Sequence, residues 1–349
     1  MKADSDQSFA GCQSVLVTGG AGFIGSALVK RLAREGIHVR VIDNLWRGER
    51  NNLRGKDGRF VIDMDLDFQL ADLTDRGACR ELLRDVDLVY HLADIVGGIG
   101  FVSREEPFIF HKNILLNTNT INACIENGVP RYVYAGTACS YPKNLQKADG
   151  VVSLREDQTY PAEPESSYGW SKLMGEYEAM LAQRAGQIEV GLLRLHNVYG
   201  PGSSCEQTRS QVIPALIRKA IIFPAESFVV WGSGDQYRDF IYIDDVVDAL
   251  LRIAKRGINK GLIQIGSERP VTIRELAETI VAISGKKINI IFDEQQPQGD
   301  RGRIAVCDRA HEILGWHCDT DLRVGLERTY NWISEHMKCS LPSVAGFAL

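Results

Sequence analysis

The sequence reads as an α/β protein, a doubly wound parallel sheet joined to a smaller α/β lobe. Three observations say so. Short β-branched runs alternate with helical patterns through the first half of the chain, as βαβ units require. A glycine-rich turn joins the first run directly to the first helical pattern. A carboxylate closes the second run, eighteen residues after the last of those glycines.

In order, strands are expected at residues 14–18, 38–43, 68–73, 88–92, 132–137 and 189–195. Helices are expected between them at 22–35, 76–83, 107–127 and 167–184; in the first of these Ala27, Leu28, Val29 and Leu32 supply a buried stripe. Beyond residue 200 the strands shorten. Breaks rich in Gly, Ser and Pro at 200–204 and 232–234, and a polar stretch at 294–302, separate helices expected at 209–220, 244–255, 272–283 and 320–335. The chain thus divides into a domain at 13–197, to which part of 232–267 can return, and a lobe at 198–337. Residues 1–12 and 338–349 are expected to be flexible termini.

At 349 residues and 44% hydrophobic content the chain has ample material for a core. No apolar run approaches the roughly 18 residues of a membrane helix, and residues 1–8 hold no apolar signal segment, so neither a membrane nor secretion is expected. The eight cysteines lie far apart, without the close pairs of a zinc site, and read as reduced thiols of a cytoplasmic protein. The net charge of −5 is spread over interspersed acids and bases, which excludes a polybasic nucleic-acid footprint. His91 and His196 fall on strands and read as packing residues, and no histidine–carboxylate spacing suggests a metal.

The run from Ser14 to Thr18 leads into Gly19-Gly20-Ala21-Gly22-Phe23-Ile24-Gly25 and then a helix. Glycines there allow a tight turn, bring backbone N–H groups near a pyrophosphate and let helix pack on strand, while the helix N-terminus attracts the anion. This is the dinucleotide cradle of a Rossmann-type sheet. Asp43, ending the second strand, is placed to hold the adenosine ribose hydroxyls and to repel a 2′-phosphate, favouring NAD over NADP. Asp72, with Leu73, either meets the adenine ring or caps its own loop.

Tyr168 and Lys172 stand four residues apart, hence on one helix face. A neighbouring ammonium favours phenolate, moving the tyrosine from about 10 toward neutrality, where it exchanges a proton with an alcohol being oxidised. Thr137 puts a hydroxyl at the C-terminal edge of the sheet, where open α/β folds bind ligands. Arg301, Arg303 and Arg238 are guanidinium forks suited to a diphosphate, or else solvated and paired with carboxylates.

With the Gly19–Gly25 turn, Asp43, Thr137, Tyr168 and Lys172, the chain resembles the extended short-chain dehydrogenase/reductase family over roughly residues 13–337. Runs at 93–101, 137–142, 161–164, 196–201 and 301–303 are similar to its branch that inverts C3 and C5 of GDP-mannose. The resemblance implies a homodimer built on the 107–127 and 167–184 helices, with tightly held NAD and a nucleotide-diphosphate sugar as substrate. It adds Phe23, Ile24, Asn44 and Ala93 to the cofactor contacts, and Gly97, Gly98, Asn197, Gln211, Lys219, Trp231 and Gln236 to the substrate contacts. The base is expected near 219–231, whose residues do not fix its identity.

A C4 ketone acidifies the hydrogens on C3 and C5. In the resembled branch a cysteine takes such a proton, and Cys139 holds its motif position; the alternative is a small buried hydrophobe. The branch's lysine acid is replaced by Gln211, which donates no proton at neutral pH. Arg209, Glu206, Cys205 or water then substitutes, or fewer centres invert. A plain 4-epimerase, a dehydratase or decarboxylase, and a non-catalytic NAD sensor are the competing readings.

Overall fold

The computed structural model describes residues 12–147, 150–206, 210–296 and 301–340. The expected termini 1–11 and 341–349 lie outside the described residues, as do Arg209 and part of the 294–302 stretch.

Seven parallel strands form the central sheet: β1 (Ser14–Thr18), β2 (His38–Asp43), β3 (Phe68–Leu70), β4 (Leu88–His91), β5 (Arg131–Thr137), β6 (Glu189–Leu195) and β7 (Leu262–Ile265). Their order is β7-β6-β5-β4-β1-β2-β3. Every neighbouring pair is parallel, from Ser14 opposite His38 to Ile265 opposite Leu195. The order reverses between β1 and β4, and a crevice opens there at the strands' C-terminal ends, the place where such sheets bind ligands. Strand β3 stops at Leu70, short of the expected residue 73, because the chain turns there with Asp72 and Asp75 capping successive backbone N–H groups.

Helices α1 (Phe23–Arg34), α2 (Arg76–Leu82), α3 (Glu106–Glu126) and α4 (Ser167–Arg184) cover the sheet. The start of α4 is set by Ser166, whose hydroxyl accepts the Gly169 N–H at 3.2 Å. In the second lobe α5 (Val212–Ile222), α6 (Ile243–Arg252) and α7 (Ile273–Ser284) agree with the expected helices to within a few residues. Helix α7 opens on a reciprocal Thr272–Glu275 cap and closes on Gly285 in the left-handed conformation. The last helix, α8 (Leu322–Ser340), continues past the expected end at 335 into the segment expected to be flexible.

The lobe's short strands set its walls. Asn197–Tyr199 and Pro270–Thr272 flank Tyr237–Tyr242, while Val229–Trp231 pairs with Ile291–Asp293. Arg303–Ala305 pairs with Val152–Leu154 and so swings Arg303 under the end of β5.

Candidate active site

At the first turn Gly19 adopts φ +66° and its N–H bonds the Ile42 carbonyl at 2.8 Å, tying the turn to β2. A side chain at Gly25 would overlap the Gly19 carbonyl and come within 2.8 Å of Gly20 Cα, so only glycine lets α1 start this close to β1. Asp43 is 7% exposed; its two oxygens accept the Ala21 N–H at 2.9 Å and the Leu45 N–H at 2.7 Å. Burial pushes its carboxyl up, against those hydrogen bonds. A cleft of about 180 Å³ lies alongside. Gly19, Gly22, Gly25, Phe23, Ile24, Asp43, Asn44, Leu73 and Ala93 line it. The bare glycine cradle and the carboxylate at its rim are what a dinucleotide requires.

Asp72 stands apart from this cleft. It is exposed, and its carboxylate accepts the Thr74 N–H at 2.9 Å, the loop-capping alternative; Leu73 reaches the cleft without it.

A larger cleft of about 860 Å³ continues toward the second lobe. Thr137, Cys139, Tyr168 and Lys172 meet in it. The Thr137 hydroxyl accepts the Cys139 N–H at 3.3 Å, so the threonine that ends β5 also orients the turn carrying the thiol. Arg303, 6% exposed, donates to the Cys139 sulfur at 3.5 Å and to the Ala138 carbonyl at 3.4 Å. Gly97 and Gly98 line the cleft as well; a side chain at Gly98 would come within 2.9 Å of the Ser210 carbonyl, so glycine lets the two segments approach. Asn197, Gln236, Arg238, Gln211, Lys219 and the half-exposed Trp231 also line the cleft. Lys219 donates to the Val229 carbonyl at 2.5 Å, and burial pulls its ammonium down. Arg301 lines neither cleft: its carbonyl accepts the Tyr237 N–H at 2.9 Å and its side chain is exposed.

One expectation is reversed. Lys172 does not make Tyr168 a ready phenolate in this state: burial opposes it, and so does the Asp94 carboxylate that both groups contact. The Tyr168 hydroxyl donates to Asp94 Oδ2 at 3.0 Å, and Lys172 Nζ lies 3.5 Å from the same oxygen. Burial, then the Asp94 carboxylate and Cys139, push the phenol well above its ordinary value. Lys172 itself is 3% exposed and packs over the Tyr134 ring.

Sequence reasoning gave no role to Asp94 or Arg47. Arg47, four residues past Asp43, lines both clefts and donates to the Val96 carbonyl at 2.5 Å. The signal that could have found Asp94 is its place just after β4, at the ligand-binding edge of the sheet. His91 is structural, as expected: it bonds Thr18 at 2.9 Å and Asn117 at 3.1 Å, and burial holds its pKa down at about 3.

A glycine cradle at the sheet's switch point, opening on a tyrosine and lysine one helical turn apart, marks a dinucleotide-binding α/β protein. The model of the NAD dependent epimerase/dehydratase family matches residues 15–266, and the chain belongs to that family, the extended short-chain dehydrogenases/reductases. It is 34% identical to the GDP-mannose 3,5-epimerase of Arabidopsis thaliana over 93% of this chain and 83% of that one. It is 31% identical to the dTDP-4-dehydro-6-deoxy-D-allose reductase of Streptomyces bikiniensis over 93% and 98%. Among solved structures it superposes on the UDP-glucose 4-epimerase of Thermotoga maritima with UDP-glucose at TM-score 0.82 and 27% identity, over 93% and 99%. MoeE5 in complex with UDP-glucose and NAD gives 0.76 and 30%, also over 93% and 99%. The protein is therefore an NAD-dependent member of a family of enzymes on nucleotide-sugars.

Proposed function

We propose that the chain is an epimerase of nucleotide-diphosphate sugars that oxidises a hexose transiently at C4 and inverts C3, C5 or both through Cys139, on the pattern of the GDP-mannose 3,5-epimerases. The supporting observation is that Cys139 lines one cleft with Tyr168 and Lys172.

Gly19, Gly22, Gly25 and Asp43 hold the dinucleotide, whose nicotinamide supplies reversible storage for the electron pair taken from C4. Tyr168 Oη exchanges the C4 hydroxyl proton, Thr137 orients that hydroxyl, and Cys139 Sγ takes a carbon-bound proton next to the ketone. Arg303 and Arg238 face the diphosphate. With this chemistry the enzyme works in the cytoplasm as a homodimer; the exposed Phe108 and Phe110 of α3 and Met174, Tyr177 and Leu181 of α4 support the pairing.

Gln211 favours a second reading, inversion at fewer centres. Of the groups able to stand in for a lysine acid, Cys205 and Glu206 do not line the cleft, and Arg209 lies outside the described residues.

Incubation with a panel of nucleotide-sugars in deuterated water, followed by NMR of the sugar, tests both. Deuterium entering C3 or C5 is expected; inversion at C4 with no exchange overturns the thiol chemistry. Cys139→Ala is expected to slow exchange by about 10²-fold or more while C4 oxidation persists. Undiminished exchange in that variant removes Cys139 from the reaction. Gly25→Ala, which forces the first turn open, is expected to weaken NAD at least about tenfold by calorimetric titration; unchanged affinity would place the dinucleotide elsewhere.

A further inference from the structure

Cys139 differs from other cysteines of the chain in what its sulfur meets. Cys79 and Cys307 donate to the carbonyls of Leu73 and Gly266, at 3.2 and 3.6 Å, and Cys318 donates to the Asp245 carboxylate at 3.6 Å. Those contacts use the S–H proton, and burial pushes all three thiols up. At Cys139 the direction is opposite: the sulfur accepts, from Arg303 Nη2 at 3.5 Å. A guanidinium only donates and stays charged, so this contact favours a thiolate over a thiol.

The fold fixes both partners. Arg303 opens the strand Arg303–Ala305, which pairs with Val152–Leu154. At its start the Gly302 carbonyl accepts the Val152 N–H at 3.1 Å, and at its end the fully buried Asp239 accepts the Ala305 N–H at 2.9 Å. Arg303 Nη1 reaches the Ala138 carbonyl at 3.4 Å, so the guanidinium spans the whole turn and not the sulfur alone. From the other side the turn is tied down by Thr137 and by Ser140, whose hydroxyl donates to the Gly169 carbonyl of α4 at 3.4 Å. Arg303 is buried, and little water screens its charge.

The other titratable or charged groups around the turn are Tyr168 and the Asp94 it bonds, with Lys172 3.5 Å from that carboxylate; Glu165 and Arg238 line the same cleft. Among the described residues only Arg303 makes a hydrogen bond to the sulfur. On the epimerase reading, carbon deprotonation follows the departure of hydride from C4, when the nicotinamide's positive charge is gone. The countercharge for the sulfur must then come from the protein. The thiolate takes a proton from C3 or C5: an S–H bond forms, the C–H bond breaks, and its electron pair moves into the ketone as an enolate.

We propose that Arg303 is the positioning residue of Cys139: the guanidinium carried on the Arg303–Ala305 strand holds the sulfur at the cleft as a thiolate, ready to take a carbon-bound proton. Its forked N–H donors let the same group face a diphosphate as well. The state of the sulfur does not depend on the epimerase reading; its use on a sugar does.

The sulfur is read first, without substrate. NAD-loaded enzyme is alkylated with iodoacetamide, a neutral reagent, across a pH series, and the peptide holding Cys139 is followed by mass spectrometry. The midpoint of rate against pH reports ionisation, whereas the plateau reports access. Arg303→Met is expected to raise that midpoint by at least about one pH unit, a tenfold fall in thiolate at fixed pH. Arg303→Lys, which keeps the charge, is expected to stay closer to the parent. An unmoved midpoint in Arg303→Met, in protein of parental circular dichroism, overturns the proposal whatever the turnover does. Should Arg303→Met fail to fold, Arg303→Gln is measured in its place: a raised midpoint supports the proposal and an unmoved one overturns it. With the panel of nucleotide-sugars in deuterated water, the pH profile of exchange in the variant is then expected to rise by the same interval as its alkylation profile. A raised alkylation midpoint with no exchange in the parent at any pH overturns the epimerase reading and leaves the thiolate standing. A raised alkylation midpoint with an unmoved exchange profile overturns the link between this thiolate and the sugar.

Discussion

Tyr168→Phe is expected to lower turnover by about 10²- to 10⁴-fold, the range that a positioned acid/base contributes, while NAD stays bound. The substitution removes one oxygen and little else. The ring is 9% exposed and packs in the apolar cluster with Ile95, which phenylalanine preserves. Asp94 loses a donor but keeps Lys172 at 3.5 Å, so no buried charge is left alone. The change in stability should therefore stay within about 1 kcal/mol, the net worth of one hydrogen bond. Sugar conversion followed by NMR and nicotinamide content released on denaturation read the two halves separately. Near-parental turnover would take the redox acid/base away from Tyr168. Loss of the coenzyme together with turnover would make the residue a structural support of the cofactor site.

The parts of this site that are legible in sequence are those built by local chemistry. A side chain at Gly25 would strike the backbone of the same turn, which makes glycine there a local requirement, while one at Gly19 or Gly20 would meet Ala93 after β4 or Val41 on β2. Tyr168 and Lys172 are neighbours because a helix makes them so. What depends on distant partners is not legible. Asp94 reaches Tyr168 across seventy-four residues of chain, and it reverses the effect that the lysine alone would have. At Asp72 local chemistry left two readings open, and the carboxylate takes the backbone N–H two residues on. Arg301 and Arg303 look equivalent at a spacing of two, yet Arg301 precedes the strand that begins at Arg303, and strand alternation does not apply to it. Strand β7 is only four residues long, Leu262–Ile265 with a buried Gln264 among its apolar residues, too short for a period of its own to mark it.

The largest expected loss of stability is at Arg194, which holds the helix carrying the acid/base pair against the sheet. Arg194 is fully buried on β6. Its guanidinium donates to both oxygens of Glu176, through Nε to Oε1 at 3.2 Å and through Nη2 to Oε2, and Nη1 donates to the Thr159 hydroxyl at 2.9 Å. Its flat face lies over the Tyr141 ring, 4.3 Å from the centroid. Glu176 is one helical turn beyond Lys172 on α4 and 2% exposed, so the carboxylate has no route to solvent once the arginine is gone. Removing one member of a buried pair strands the other, which costs about 3–5 kcal/mol, whereas replacing both by apolar groups is often neutral. Arg194→Met is expected to lose stability of that order in urea denaturation. Arg194→Met with Glu176→Leu is expected to regain most of it. Turnover should separate the two effects: the single variant loosens α4 and moves Tyr168 and Lys172 off the cleft, while the double variant restores the packing and much of the rate. A single variant as stable as its parent would show that the pair contributes specificity of packing and not stability, and that α4 is held to the sheet by its apolar face.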